Sequence, residues 1–161
     1  MFEFLHTLET SQTAIWVKTS TWAYPFLETA HVIGLGLLFG AVFVLDLRLM
    51  GVGRVLPLGP LARHLLPWVW IGFFINLVSG SLLFISDAQE FAANAAFRVK
   101  IALIVLAGFN AAYFHVRAYR YAVEVDPAQH NIPRASIVAA MISITLWIGV
   151  ITAGRMIAYV E

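Results

Sequence analysis

The sequence predicts an all-α integral membrane protein in which four long helices form a bundle. Hydrophobic residues make up 61% of the 161-residue chain and charged residues only 12%, whereas a soluble domain has roughly 25% charged residues. The apolar residues fall into four segments, each reaching the roughly 20 residues needed to cross a bilayer. The links between these segments are short, which makes neighbouring helices antiparallel.

Residues 1–20 are expected to form an interfacial segment that precedes a transmembrane domain at 21–161. Apolar side chains such as Phe4, Leu5 and Leu8 recur near helical spacing, with polar residues on the other side. This pattern favours a short amphipathic helix lying in the membrane interface. A disordered tail is the alternative.

The four predicted membrane-spanning helices are similar in length and leave three connecting loops. The loops at 51–63 and 122–134 each contain two prolines, and the loop at 86–94 is the shortest. The helices run from about Pro25 to Met50, from Leu65 to Ile85, from about Ala95 to Tyr121 and from Ala135 to Tyr159.

Arginine predominates on one side of the predicted bundle, the side of the loops at 51–63 and 122–134. Basic residues are enriched in cytoplasmic loops, so this side is expected to face the cytoplasm and both termini the outside. A bacterial inner membrane is the expected location. The arginines of the first side are Arg48, Arg54, Arg63, Arg117, Arg120 and Arg134, and the basic residues of the other are Lys18, Arg98, Lys100 and Arg155.

Composition also limits the function. The chain contains no cysteine, which excludes a disulfide, a thiolate metal site and an iron–sulfur cluster. The formal net charge is +1, and the basic residues lie at segment ends instead of in one patch, so nucleic acid is not an expected partner. The expected partner is the lipid bilayer.

Small and polar residues within the apolar segments predict helix–helix contacts. Gly36 and Gly40 form a Gly-x-x-x-Gly pattern, which lets two helices approach closely. Packing within the bundle is the first interpretation of this pattern, and a homo-oligomer is the second. Interhelical hydrogen bonds are expected from Asn76, Ser79, Ser81, Asn110 and Thr152.

Ionisable residues at membrane depth are functional candidates because they are costly to bury. His31 lies about two turns inside the first segment, and Glu28 precedes it by three residues on the same helix face. A carboxylate there would orient the imidazole or relay a proton, whereas a neighbouring hydroxyl or carbonyl would make His31 a satisfied structural residue. Lys100 and Arg155 enter from the same side, so the four residues are expected to form one polar site. Snorkelling to the interface is the alternative for the two cations.

Two further histidines lie at the cytoplasmic ends of different helices, near Asp46. Antiparallel threading places His64 and His115 on the same side, and two imidazoles from different helices commonly hold a b-type haem. Ordinary boundary histidines are the alternative. His31, His64 and His115 are therefore the candidate metal ligands. A flat cofactor or a quinone could pack on the aromatic residues Trp68, Trp70, Phe73 and Phe74, although belt and core packing explain them equally well.

Several of these residues also carry a family resemblance, which covers most of residues 24–159. The pattern from His31 through Gly34 to Gly40, followed by the helix that opens at Lys100 and runs on to His115, resembles a superfamily of small four-helix bacterial membrane proteins. This superfamily includes the copper-resistance protein D type and the HemJ-type protoporphyrinogen oxidases. The stretches Asp46-Leu47-Arg48-Leu49-Met50-Gly51 and Gly154-Arg155-Met156-Ile157-Ala158 look closer to an uncharacterised branch.

The resemblance implies that His31 is an axial haem ligand and that Lys100 handles a propionate, a proton or a substrate. The chain has Ile132-Pro133-Arg134-Ala135 where the HemJ type has Asn-Glu-x-Pro, which argues against protoporphyrinogen oxidation.

Three functions are consistent with the sequence. The first is a haem b-binding membrane redox protein that transfers electrons within or beside the membrane, as a haem-dependent oxidoreductase if it is an enzyme, with a quinone or another redox protein as its partner. Glu28, Lys100 and Arg155 would then surround the cofactor. The second is a copper transport or binding protein, which four methionines and no cysteine make weak. The third is a structural subunit of a larger membrane complex.

Overall fold

The structure is a computed structural model that describes residues 2–118 and 132–160. Within these ranges every regular element is helical. A π-helical turn at Phe114–Ala118 continues the sixth helix. The helices are α1 (Phe2–Glu9), α2 (Gln12–Thr19), α3 (Ala23–Leu49), α4 (Leu58–Ser86), α5 (Ala88–Ala93), α6 (Ala95–Tyr113) and α7 (Arg134–Met156).

Helices α3, α4, α6 and α7 are each long and apolar enough to cross a membrane, so the prediction of an all-α chain with four helices of that kind is confirmed. The largest difference in bounds is at α4, which begins at Leu58 instead of the predicted Leu65. Pro60 lies in the first turn of this helix, where a missing N–H costs no intrahelical hydrogen bond. The predicted end of the third span, Tyr121, lies outside the described residues, and the α-helical part ends at Tyr113.

Two glycines bring the backbones of α3 and α4 together. A Cβ added to Gly72 would lie 2.6 Å from Gly34 O and 2.6 Å from Leu38 N. By contrast, a Cβ on Gly36 or Gly40 would meet nothing within 4 Å. The expectation that Gly36 and Gly40 pack inside the bundle is therefore wrong, because the face of α3 that meets α4 carries Gly34.

The membrane-crossing helices associate mainly as two pairs. Helix α3 packs along α4 and α6 along α7, and a smaller contact between α3 and α7 joins the pairs. Between α4 and α6 the described residues make no contact of comparable extent. A buried apolar cluster of Leu49, Leu58 and Ala140 holds α3, α4 and α7 together at the end near the turn at 50–57. We call this the loop end.

The other end, which we call the N-terminal end, is covered by α1, α2 and α5. The sequence predicts a single helix in residues 2–18, but the structure has two, because the Ser11 hydroxyl accepts a hydrogen bond from Ala14 N and caps α2. Ala14 and Val17 are fully buried, and α2 packs on α4. The N-terminal segment is thus helical and attached to the membrane-crossing helices.

Two polar contacts fasten this segment to the start of α5. The Glu9 carboxylate accepts hydrogen bonds from the backbone N and the side-chain Nε2 of Gln89, both at 2.8 Å. Lys18 Nζ lies 2.8 Å from Asp87 Oδ1. Both contacts lie outside the membrane-crossing helices, so they are exposed to the pH of the medium.

The contact between Glu9 and Gln89 is expected to weaken in acid. The hydrogen bonds from the Gln89 backbone and side chain lower the pKa of Glu9 below its usual 4.5. A lowered pKa stabilises the folded contact above the unfolded value, and this stabilisation is lost as the pH falls through the folded value. The protection factor of the Gln89 amide against hydrogen exchange should therefore fall once the pH drops below 4.5. Glu9→Gln should remove the pH dependence, and protection that stays constant well below that pH would contradict this account.

Candidate functional site

His31 lies between α3 and α4, two turns inside the N-terminal end of the membrane-crossing helices. The ring is half-buried, and its Nδ1 lies 3.0 Å from Ser79 Oγ of α4. Gly80 leaves room for the ring, because a Cβ there would approach His31 Cε1 to 3.0 Å. The orienting partner is thus a hydroxyl from another helix.

The hydrogen bonds of Ser79 favour one tautomer of His31. Ser79 Oγ donates to Ile75 O at 2.6 Å, and when its one proton is used there it accepts a hydrogen bond from His31 Nδ1–H. In the neutral imidazole the lone pair then lies on Nε2, and no hydrogen bond in the described residues uses that atom.

Lys100 of α6 is the second ionisable group at this level. It is half-buried and within electrostatic range of His31. Its aliphatic stem packs on Gly154 of α7, where an added Cβ would lie 3.6 Å from Lys100 Nζ. Within residues 2–118 and 132–160 its ammonium has no hydrogen bond or ion pair. Lys100 is therefore a half-buried cation without an anionic partner among the described residues, within electrostatic range of His31.

Glu28 and Arg155, which the sequence assigns to the same site, have other surroundings. Glu28 is exposed on α3, and the hydrogen bond that orients His31 comes from Ser79 instead. Arg155 is exposed as well; its Nη2 donates to Tyr159 Oη at 3.1 Å, and its guanidinium lies 5.4 Å from the centre of that ring. Of the four predicted residues, His31 and Lys100 are half-buried, whereas Glu28 and Arg155 are exposed.

His64 and His115 lie far from His31. Fifteen residues of α4 separate His64 from Ser79, which corresponds to about 22 Å along the helix axis, and His115 follows Lys100 by the same number of residues. One haem iron cannot bind His31 together with either of them. The pairing of His64 with His115 stays a prediction: His115 lines a cavity at the loop end, and His64 is exposed.

That cavity has a volume of about 120 Å³ and lies between α3, α4 and the π-helical turn. His64 is offset by two residues, about 200° of helical rotation, from the α4 residues Ala62 and Leu66 that line it. Asp46 contributes the buried carboxyl group of the wall, with 7% of its surface exposed. In the sequence Asp46 stood out as a charge at the end of a span, but nothing local indicated an enclosed space beside it.

The other polar and aromatic residues of the helices have mixed outcomes. The interhelical role is confirmed for Ser79, which bonds His31, and for Asn110, whose Nδ2 donates to Ala139 O of α7. It is wrong for Asn76 and Thr152, which donate to carbonyls of their own helices. The aromatic residues of α4 do not line the cavity at the loop end; Trp68, Trp70, Phe73 and Phe74 are all exposed.

Comparison with known proteins assigns the chain to a family. A family model matches residues 4–160. The chain belongs to DUF6644, a family of unknown function. The match includes α1 and α2 together with the four membrane-crossing helices. Neither the curated proteins nor the solved structures yielded a match.

The side chains of this DUF6644 member also bear on the kind of metal site that it can form. Among the residues that the structure describes, no three His, Asp or Glu side chains come together as ligands of a metal ion. A haem iron has a smaller requirement, because the porphyrin supplies four nitrogens and the protein only the axial ligand. A single imidazole, such as that of His31, is a ligand of this kind.

Proposed function

We propose that this protein is a haem b-binding membrane redox protein, with His31 Nε2 as an axial ligand of the haem iron. The observation that carries the proposal is the hydrogen-bonded chain from His31 Nδ1 through Ser79 Oγ to Ile75 O. Ligating histidines usually donate their other ring N–H to a fixed acceptor, which sets the tautomer and the ring orientation. The resemblance of the His31 region to haem-binding four-helix proteins supports the same role.

Lys100 supports an anionic cofactor in particular. Charges within membrane helices are normally paired, yet the described residues offer this ammonium no anion. A haem propionate would supply one. Lys100 would thus hold the porphyrin edge, while His31 from α3 binds the iron.

The haem and the protein would supply different parts of the redox function. Haem supplies one-electron chemistry, and the protein supplies the ligand, the nearby charge and the low dielectric of its interior. The two helix pairs, α3 with α4 and α6 with α7, would enclose the group as a four-helix bundle. His31 and Lys100 come from different pairs, so the proposed site lies between them.

The visible spectrum of the purified full-length protein tests this proposal directly. A haem b protein should show a Soret band, and α and β bands in the reduced state. A colourless protein that contains stoichiometric copper would instead make it a copper-binding protein. A colourless protein without metal, recovered from cells supplied with haem, would leave the structural-subunit function.

Removal of the Lys100 charge is expected to lower the haem midpoint potential. A cation near the haem favours the reduced state, so Lys100→Met should shift the potential downwards by on the order of 60 mV. A redox titration followed at the α band measures the shift. Arg98→Met is the matched control, because exposed Arg98 lies on the same helix and donates to Ala93 O. Equal potentials in Lys100→Met and the wild type would place the ammonium away from the haem.

The proposed orientation in the bacterial inner membrane puts both termini outside and the loop end in the cytoplasm, from the arginine asymmetry. Alkaline phosphatase fused after Glu161 is then expected to be active in a bacterial host, and the same enzyme fused near Gly59 inactive. Alkaline phosphatase activities of the two fusions, normalised to their amounts, check this. The reverse pattern would invert the topology.

A further inference from the structure

The cavity at the loop end has an almost wholly apolar wall. Helix α3, helix α4 and the π-helical turn contribute to it, through side chains such as Leu58, Ala62 and Phe114. Its polar residues are Asp46 and His115. The volume of about 120 Å³ is somewhat below that of an apolar cavity of roughly 150 Å³ that holds a benzene molecule, so the space admits at most one six-membered ring.

Asp46 is an unexplained feature of this wall. Its Oδ2 atom is buried and has no hydrogen-bond partner among the described residues, although the Ser143 hydroxyl of α7 interacts with the carboxyl group. Buried polar atoms are nearly always paired, so an orphan indicates a missing partner.

Arg48 does not supply that partner, although it lies two residues further along α3 and is only 3% exposed. Its Nε donates to Leu56 O at 2.7 Å, and its Nη2 donates to Arg54 O at 3.3 Å. The guanidinium therefore holds the turn at 50–57, and the carboxyl group of Asp46 remains without a cation.

Size, polarity and position together define the missing partner. One six-membered ring with apolar faces matches the volume and the wall of the cavity. Its oxygen either accepts a hydrogen bond from a protonated carboxyl group, as a quinone carbonyl does, or donates one to a carboxylate, as a hydroquinone hydroxyl does. A molecule dissolved in the bilayer suits the apolar wall, whereas a hydrophilic solute does not, and the helices α3 and α4 that form most of this wall are long and apolar enough to cross a membrane.

We propose that this cavity binds the head group of a lipid-soluble quinone or its hydroquinone, with the Asp46 carboxyl group hydrogen-bonded to a ring oxygen. His115 stands at the same wall, on the π-helical turn. Binding at this site is independent of the haem, whereas a role for the quinone as electron donor or acceptor rests on the proposed function. A quinone bound at this site would then be the redox partner of the haem.

The test uses full-length protein in nanodiscs and ubiquinone with one isoprenoid unit, titrated calorimetrically against protein-free nanodiscs. Asp46→Leu should weaken binding at least tenfold, as the loss of a hydrogen bond to a carboxyl group does. Ala62→Phe should abolish binding because it fills the cavity while leaving Asp46 in place. Thr145→Val is the control: this exposed residue of α7 bonds Met141 O of its own helix, and its loss should leave the affinity unchanged.

The outcomes separate this proposal from the haem proposal. Saturable quinone binding that both cavity variants reduce supports the quinone site even when the protein is colourless. Absence of saturable binding in the wild type, or equal affinity in all variants of retained helicity, overturns it, whatever the Soret band shows. Tighter binding of benzylammonium than of the quinone would assign Asp46 to a cationic ligand and also overturn it.

Discussion

Replacement of His31 by alanine is expected to remove the Soret band from the purified protein while leaving its membrane insertion intact. The axial bond requires an imidazole nitrogen with a lone pair, and the Ser79 hydrogen bond leaves that lone pair on Nε2. Alanine removes the ligand but adds no bulk to α3. The haem content per protein, measured by the pyridine haemochrome assay, should fall at least tenfold, on the order of the loss that ligand removal causes.

Two further variants make this result specific. Ser79→Ala keeps the ligand but removes its orientation, so haem should be retained with a weaker affinity, by roughly tenfold to a hundredfold. His6→Ala changes an exposed histidine of α1 and should give the wild-type spectrum. If His31→Ala keeps full haem content, whereas His64→Ala and His115→Ala each lose it, the haem lies at the loop end and His31 is a structural residue.

The four long apolar helices could be predicted because a run of roughly 20 apolar residues is visible within one segment of the sequence, without knowledge of the other segments. The first and last residues of the helices were harder to predict where a sequence rule for helix starts or breaks has an exception. Pro60 reads as a loop residue, but the first turn of α4 accommodates it, so the helix begins at Leu58. Ser11, by contrast, is a strong N-cap residue within the predicted single helix, and it divides the segment into α1 and α2.

Packing between helices was harder to predict, because glycine spacing within one segment does not identify the partner face. Gly36 and Gly40 match a known pattern, yet the close approach involves Gly34 and Gly72, thirty-eight residues apart. The same holds for the candidate site. His31 was identifiable as an ionisable residue at membrane depth, but its partner Ser79 lies forty-eight residues away. The expected partner Glu28 is nearer in sequence, but it lies at the exposed surface of α3.

Asp46 illustrates the remaining limit. A carboxyl group near the end of a span is ordinary in a sequence, because the membrane interface solvates it. Its burial depends on packing that involves α4 and the π-helical turn, and on the use of Arg48 by the turn at 50–57. Such a site results from several elements at once, so only the assembled helices reveal it.

The crossing of α3 and α4 predicts a large effect of a single methyl group. Gly72→Ala places a Cβ 2.6 Å from two backbone atoms of α3, Gly34 O and Leu38 N. Backbone atoms cannot rotate aside as a side chain does, so the helices must separate. We expect the free energy of unfolding to fall by roughly 3 kcal/mol, at the upper end of overpacking costs. Unfolding by titration with sodium dodecyl sulfate in mixed micelles, followed by circular dichroism, measures this change.

Gly36→Ala is the matched substitution, because the same methyl group on α3, the other helix of this crossing, meets nothing within 4 Å. Alanine has the higher helix propensity, so this variant should gain up to about 1 kcal/mol, and the two substitutions should differ in sign. Separation of α4 from α3 would also pull Ser79 away from His31, so Gly72→Ala should weaken haem binding as Ser79→Ala does. Equal stability of the two alanine variants would mean that the helices cross elsewhere, and the placement of Ser79 against His31 would lose its structural basis.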